Sequence, residues 1–514
     1  MKKLVIALLT AGLALGAAAP SHAIDFKAHG QWLFSINYGQ HGTFSDSGKT
    51  GYDGSEDEFE PRSRVRVWLD AIASESLSGQ VYFEIGKSIW GRSSASGSQG
   101  GAALGADDTI VKVRRAFIDW MVPETDLKVR MGIQVVGTPY AALDGASVLQ
   151  ADVAGVMLSY RFNDMVALTG GWIRPYNDNY STTVNNTSNY MDNLDMGLIA
   201  LPIRGDSFKL TPWGMYGAIG PNTFRTKTTS ADSTFGKRIN GVDGNYFYQG
   251  MFPLWANVSG VTKSNKITSY GNAWWGGLAG EFTGCSPLRV AAEFMYGSVD
   301  WPDDESMRRQ GWLAAAVVEY KLDWVTPGLF GWYASGDDDD ISNGSERMPY
   351  VAIDHGMPHF GSTFAGSDQN GLERDRVIAN QLSGTWGVGF RLKNMSFLDN
   401  LKHTFLVALW GGTNQPGIVE ELHKKTGGDY MTPNKTYTTT SAYMTGRENL
   451  YMTTQDNALE FTLRNSWKAC ENLTLNLDAS YIKLFIDTDD TWKHSHTGGL
   501  QDAWNVSFLM NYSF

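Results

Sequence analysis

The chain has 514 residues, a formal net charge of −12, 42% hydrophobic and 19% charged residues, and two cysteines. An acidic balance without a basic stripe excludes nucleic-acid binding, and beyond the N-terminal region no uncharged apolar run is long enough for a membrane helix. With 57 glycines and 12% aromatics spread over many short segments, the composition fits one large all-β protein rather than a string of soluble domains.

In chain order, Lys2 and Lys3 precede an apolar run over 4–19, followed by Pro20 and the small-residue pattern Ser21-His22-Ala23. That is the pattern of a signal peptide, residues 1–23, cut after Ala23; the run falls short of the approximately 20 residues a spanning helix needs. From 24 to 38 the chain alternates, with Phe26, Ala28, Trp32, Phe34, Ile36 and Tyr38 opposing Lys27, His29, Gln31, Ser35 and Asn37. A period of two is that of a strand with two unlike faces. Comparable runs recur at about 61–73, 79–90, 109–121, 126–134, 154–163, 164–175, 190–202, 207–219, 271–284, 287–299, 311–322, 326–335, 376–393, 400–413, 456–469 and 471–486. The tail, 503–514, places Trp504, Val506, Phe508, Met510, Tyr512 and Phe514 on one side and Asn505, Ser507, Asn511 and Ser513 on the other.

Together these make eighteen strands, with sixteen as the alternative count. Spans of this length with aromatic ends fit a transmembrane antiparallel β-barrel, in which residues 24–514 form one domain and the first and last strands pair. Tight turns at 123–126, 163–164, 204–206, 284–287 and 469–472 alternate with long polar connections near 220–270, 336–375 and 414–455. Short turns facing the periplasm and long loops facing outside would put both termini on the periplasmic side. Cys285 and Cys470 then fall in turns six strands apart. At about 4.8 Å per strand they are much too distant for a disulfide.

The charged residues follow the same parity. Arg62, Arg64 and Arg66 oppose Val65, Val67 and Leu69, so the arginines point into the lumen, because a charge in lipid near mid-bilayer costs roughly 2–4 kcal/mol. Lys112, Arg114, Lys128 and Arg130 extend this basic wall, and Arg115 breaks parity in a way that predicts a β-bulge at Arg114-Arg115. The loop at about 135–153 carries Tyr140, Leu143, Val148 and Leu149, which inward folding would bury, bringing Asp144 and Asp152 toward the arginines. Such a transverse field selects solutes by charge and width. An ordinary surface loop is the alternative.

These features resemble the trimeric porins of Gram-negative outer membranes. The stretch VKVRRAFIDWMVPETDLKVRMGIQ (111–134) is most similar to the homotrimeric porins of sulfate-reducing bacteria. The resemblance implies a third loop folded into the pore, an arginine wall of Arg62, Arg64, Arg66, Arg114 and Arg130 facing Asp144 and Asp152, and Phe514 as the signal read by the barrel-assembly machinery. The Pro-Glu-Phe-Gly-Gly pattern of the general porins is absent. The resemblance also implies an outer-membrane location, a homotrimer, contact with lipid and lipopolysaccharide, and diffusion of small hydrophilic solutes.

Transport of this kind needs no cofactor, and no nucleophile motif, phosphate loop or paired metal ligands suggests an enzyme. Asp337, Asp338, Asp339 and Asp340 form a weak metal candidate for which a solvated loop tip is the favoured reading, and His494-Ser495-His496 is weaker still. Trp274, Trp275 and Trp312 are expected at the bilayer interface. A substrate-specific channel for a sugar or anion, and a plugged structural or adhesin barrel, are the competing functions.

Overall fold

A computed structural model describes residues 24–40, 57–91, 103–104, 111–177, 193–220, 250–255, 269–302, 304–353, 382–426, 431–432, 435–436, 451–494 and 500–514. Eighteen long antiparallel strands form a closed barrel. They are β1 (Asp25–Gln40), β2 (Asp57–Ser74), β3 (Leu77–Ile89), β4 (Val111–Met121), β5 (Leu127–Gly137), β6 (Leu149–Arg161), β7 (Ala167–Asn177), β8 (Asn193–Ala200) and β9 (Phe208–Ile219). The circuit continues with β10 (Gly271–Phe282), β11 (Leu288–Asp300), β12 (Arg309–Tyr320), β13 (Thr326–Ala334), β14 (Thr385–Leu398), β15 (Leu401–Gly412), β16 (Asn457–Cys470), β17 (Leu473–Phe485) and β18 (Ala503–Ser513). The count of sixteen is thereby excluded. The strand read at 376–393 lies at Thr385–Leu398; residues 376–381 of that reading, like the signal segment 1–23, fall outside the described residues.

Closure follows from the alternation of the two ends. β1 pairs with β18 from Gln31↔Ser513 to Gln40↔Trp504, and Gly30 and Phe514 exchange backbone hydrogen bonds of 2.9 and 3.0 Å beyond that register. An unpaired edge would leave backbone groups in lipid at several kcal/mol each. Gly30 is required at the seam, since a Cβ there would lie 2.2 Å from Phe514 Cζ. Leu509, which interrupts the alternation of the tail, faces inward and packs against Leu33.

The outer surface is apolar all round. Leu158, Ile199, Leu278, Leu329, Val388, Leu409 and Leu477 are each more than 40% exposed on strands whose alternate residues are buried. Water would not tolerate such a band, whereas hydrocarbon does. Outward aromatics bracket it at a spacing of eight residues, as in Phe208 and Tyr216, Trp274 and Phe282, Trp312 and Tyr320, and Trp504 and Tyr512. At about 3.3 Å per residue and a tilt near 40°, that spacing separates the two girdles by roughly 20 Å, close to the height of a barrel's apolar band. Trp274 and Trp312 belong to these girdles. Trp275 does not: one residue further along the strand it turns inward, is 2% exposed and donates to the Pro349 carbonyl at 2.8 Å.

Short turns join β2–β3, β4–β5, β6–β7 and every second pair thereafter, and both described termini lie at that end. Cys285 sits between β10 and β11 and Cys470 at the end of β16, both free and exposed.

Candidate functional site

The lumen has two unlike halves. On β7 to β13 most inward side chains are apolar and buried, among them Ile173, Met196, Trp213, Trp275, Met295, Val317 and Phe330. Segments from the long loops pack onto them: Leu143 and Val148, then Met251, Phe252 and Trp255, then Ile341, Met348 and Val351. On β16 to β18 and β1 to β5 the inward side chains are polar: Glu460, Thr462 and Arg464, then Asp478 and Ser480, Asn505 and Ser507, Ser35 and Asn37, and the charged groups of β2 to β5. Thr462 and Ser480 lie 2.8 Å apart, and Ser507 donates to Asn37 at 2.7 Å.

The predicted arginines gather on this polar half. Arg64 and Arg66 are buried on β2. Arg66 donates to Glu84 of β3 at 2.8 Å, and Arg64 Nε stands 4.0 Å from the same carboxylate. Arg62 is bound by Glu60 on its own strand. The β2–β3 turn explains the pairing, because its register sets Arg66 directly opposite Glu84. Lys112 lies opposite Glu84 on the other side and is exposed.

The bulge predicted at Arg114-Arg115 is present: Tyr82 pairs with Arg115 and Phe83 with Val113, leaving Arg114 as the extra residue. Two consecutive arginines consequently reach one carboxylate. Arg114 Nε donates to Asp152 at 2.6 Å and Arg115 Nε to its other oxygen at 2.7 Å. Arg114 also donates to Glu84 at 3.1 Å, and Arg115 lies over the Tyr82 ring at 4.8 Å. Glu84 and Asp152 thus link four arginines into one chain of ion pairs. Further along, Arg130 is bidentate to Asp119 at 2.6 and 2.7 Å and covers the Phe117 ring, while Lys128 adds a contact at 2.9 Å. Arg115 was read from the sequence only as the mark of a bulge, and Glu60, Glu84 and Asp119 were not singled out.

The third loop is shorter than the predicted 135–153. β5 runs to Gly137 and β6 starts at Leu149, so the crossing is 138–148, and Asp152 is a wall residue of β6, not a loop acid. Its apolar side chains fold inward: Leu143, Val148 and Leu149 are buried, as are Ala142 and Ala146, although Tyr140 stays exposed. Asp144 lies close enough to Glu293 of β11 for their charges to interact. A second loop segment seals the base, with Ala352–Ile353 pairing in parallel with Leu149 and Gln150.

Around the turn-side mouth, Arg289 bridges Glu281 and Glu319 at 2.9 Å each, and Arg391 reaches Glu319 at 2.8 Å. A cavity of about 330 Å³ opens there, lined by Arg289, Glu319, Lys321 and Lys393 among others.

Asp337 is no solvated tip. It is 1% exposed and accepts from Ser345 at 2.5 Å and Tyr451 at 2.7 Å; burial pushes its carboxyl up, against the opposing pull of Arg347. Asp338 accepts from Asn343 and Asp340 from Ser342. Burial, then the charges of Asp337 and Asp338, raise Glu346 to about 7. Among the described residues no cluster of three or more His, Cys, Asp or Glu groups is arranged for a metal. His494 stacks on His423 at 4.6 Å; Ser495 and His496 fall outside the described residues.

No family model matches the chain, and no curated protein matches it significantly. Among solved structures it is similar to OccK9 (OpdG) of Pseudomonas aeruginosa, with a TM-score of 0.51 and 10% identity over 95% of this chain and 98% of that one. OccAB3 of Acinetobacter baumannii has a TM-score of 0.49 at 9% identity, with 95% and 99% covered. At these identities the likeness is one of fold, and it lends the resemblance to the porins of sulfate-reducing bacteria no separate support.

Proposed function

We propose that this barrel is an outer-membrane porin, exported by its N-terminal signal segment, whose water-filled passage follows the polar half of the lumen. The observation that carries the reading is the asymmetry of that lumen. Loops pack on the apolar wall, whereas β16 to β18 and β1 to β5 turn closely packed polar groups inward, with Lys112, Lys128, Arg130 and Asp144 among the charges left accessible to a hydrated solute. The closed 18-strand barrel, a fold it shares with OccK9 of Pseudomonas aeruginosa, supports the same location. Arg62, Lys112, Arg114 and Arg130 form the wall that meets the solute, backed by the buried Arg64 and Arg66, with Asp144 on the crossing loop.

Along this wall the bulge region holds a local excess of positive charge, five guanidinium groups against Glu60, Glu84 and Asp152. That excess favours small hydrophilic anions despite the acidic chain. No covalent step or cofactor enters. Loops that fill half the lumen favour a narrow, solute-selective version of this channel over a wide general pore. Homotrimerisation, lipopolysaccharide contact and recognition of Phe514 by the assembly machinery belong to the same proposal.

The test is conductance of the refolded protein in planar bilayers, with a series of small carboxylates, phosphate and sugars added to one side. Current steps that a carboxylate or phosphate blocks saturably support the selective channel. Unblocked steps return the reading to a general porin, and a silent bilayer holding correctly folded barrels refutes transport.

A further inference from the structure

We infer that Glu293 is the catch that pins the crossing loop 138–148 to the far wall and so sets the conducting width of the channel. This rests on the channel reading only for its electrical consequence. The loop leaves β5 and returns through β6, and its base is closed by Thr138 and Leu149, whose backbones are bonded at 2.9 Å. Its far end has no strand to pair with and meets β11. There one carboxylate oxygen of Glu293 accepts three consecutive backbone N–H groups, from Ala141 at 2.6 Å, Ala142 at 2.9 Å and Leu143 at 3.4 Å.

Consecutive amides converging on one oxygen form an anion-holding concavity, of the kind that backbone nests make for phosphate. Glu293 fills it from a strand five to six places further round the barrel, at least 150 residues away in sequence, and is 4% exposed. Arg289, one turn of the pleat below on β11, adds a bond from its guanidinium to the Ala141 carbonyl at 3.1 Å. The facing charges are Asp144 on the loop and Arg289 on the strand. The apolar contacts of Ala142 and Leu143 are undirected and would let the loop slide; the three N–H bonds fix where it stops. Glu293 is a positioning residue, since the solute need never touch it.

The experiment compares Glu293→Ala and Glu293→Gln with the native chain in planar bilayers. The amide oxygen of the glutamine variant can still accept the three N–H groups, so its conductance is expected to stay near native. The alanine variant is expected to conduct about twofold more, with greater open-channel noise, as the loop leaves the constriction. Native conductance and noise in Glu293→Ala would overturn the inference. A readout independent of current uses Ala142→Cys in a Cys285→Ser/Cys470→Ser background, with the rate of labelling by a small thiol reagent. Burial of Ala142 predicts slow labelling, accelerated at least about tenfold by Glu293→Ala and not by Glu293→Gln. Equal rates in all three backgrounds also refute the catch. If no version conducts, the channel reading fails while the labelling rates still decide the position of the loop.

Discussion

Removing the three β2 arginines is the perturbation whose size the structure lets one work out. In the bulge region five guanidinium groups (Arg62, Arg64, Arg66, Arg114, Arg115) share three carboxylates (Glu60, Glu84, Asp152), an excess of two positive charges. A monovalent ion passing at about 6 Å through water-like dielectric feels roughly 0.7 kcal/mol per unit charge. Screening at physiological salt cuts this to about half, so Arg62→Ala/Arg64→Ala/Arg66→Ala moves the energy of a passing ion by about 1 kcal/mol. The shift is unfavourable for an anion and favourable for a cation. Their permeability ratio should therefore swing toward cations by about 30-fold at 0.15 M salt, and by only about threefold at 1 M, where the Debye length is near 3 Å. The assay is the reversal potential under a salt gradient, at both ionic strengths.

One control separates field from fold. Arg66→Met/Glu84→Gln removes one charge of each sign from a pair bonded at 2.8 Å, and should leave the ratio unchanged within about a factor of two. A triple variant that conducts with native selectivity at both salt concentrations would sink the assignment of the passage to this wall. A swing that does not shrink with salt would point to a changed pore shape instead of a changed field.

Three further expectations concern the frame of the pore. Glu346, with its pKa raised to about 7 from 4.5, binds its proton more tightly in the folded loop, so its contribution to stability is present below about pH 4.5 and is lost as the pH rises toward 7. Protection factors for hydrogen exchange in 335–353, corrected for the intrinsic rise of exchange with pH, should accordingly fall between pH 5 and 8 in the native chain and much less in Glu346→Gln; an equal fall in both refutes the assignment. Arg309, which is fully buried, donates to the carbonyls of Phe252, Arg347 and Met348 at 3.1 to 3.2 Å. Arg309→Lys leaves at least one of them unsatisfied at a cost of about 1–3 kcal/mol, so proteolysis of the loops should speed up while the melting of the barrel stays native. Gly30→Val should drive the Phe514 ring off the seam and lower the temperature at which the folded form converts to the unfolded one on heated gels, an overpacking cost of about 1–3 kcal/mol; an unchanged transition would remove Phe514 from the seam.

Much of this architecture was legible because a barrel strand writes its two environments into alternate residues. The seam, the number of strands, the inward parity of Arg62, Arg64 and Arg66 and the bulge at Arg114 all follow from that period. The partners of the arginines were within reach as well. A two-residue turn at Glu75-Ser76 fixes the β2–β3 register and hence Arg66 against Glu84, just as the 122–126 turn sets Asp119 against Arg130. The contact of Glu293 with the crossing loop was not legible, since nothing local ties β11 to a loop five to six strands away around the barrel. Asp337 misled for a related reason: four consecutive aspartates read as solvated, but the first is carried inward by a loop that packs against Tyr451.

The strands where alternation fails carry a message of their own. The second half of β8 (MGLIA, 196–200) and the middle of β12 (LAAAVV, 313–318) have only apolar or glycine residues on both faces, and much of β11 is similar. A strand buried on both faces reads as a near-continuous apolar run, whereas one with a wet face alternates. In a barrel the outer face always meets lipid, so a run without alternation can only mean that the inner face is dry. The apolar half of the lumen was thus encoded in the sequence as lost periodicity, and the polar half, from β16 through β18 to β5, as periodicity kept. The two groups that anchor the inward loops, Glu293 and Arg309, are among the few charged inward residues on the dry side, and each is consumed by backbone groups of the loops it holds. Glu293 and Arg309 thus show how a charge on the apolar wall can fasten a loop.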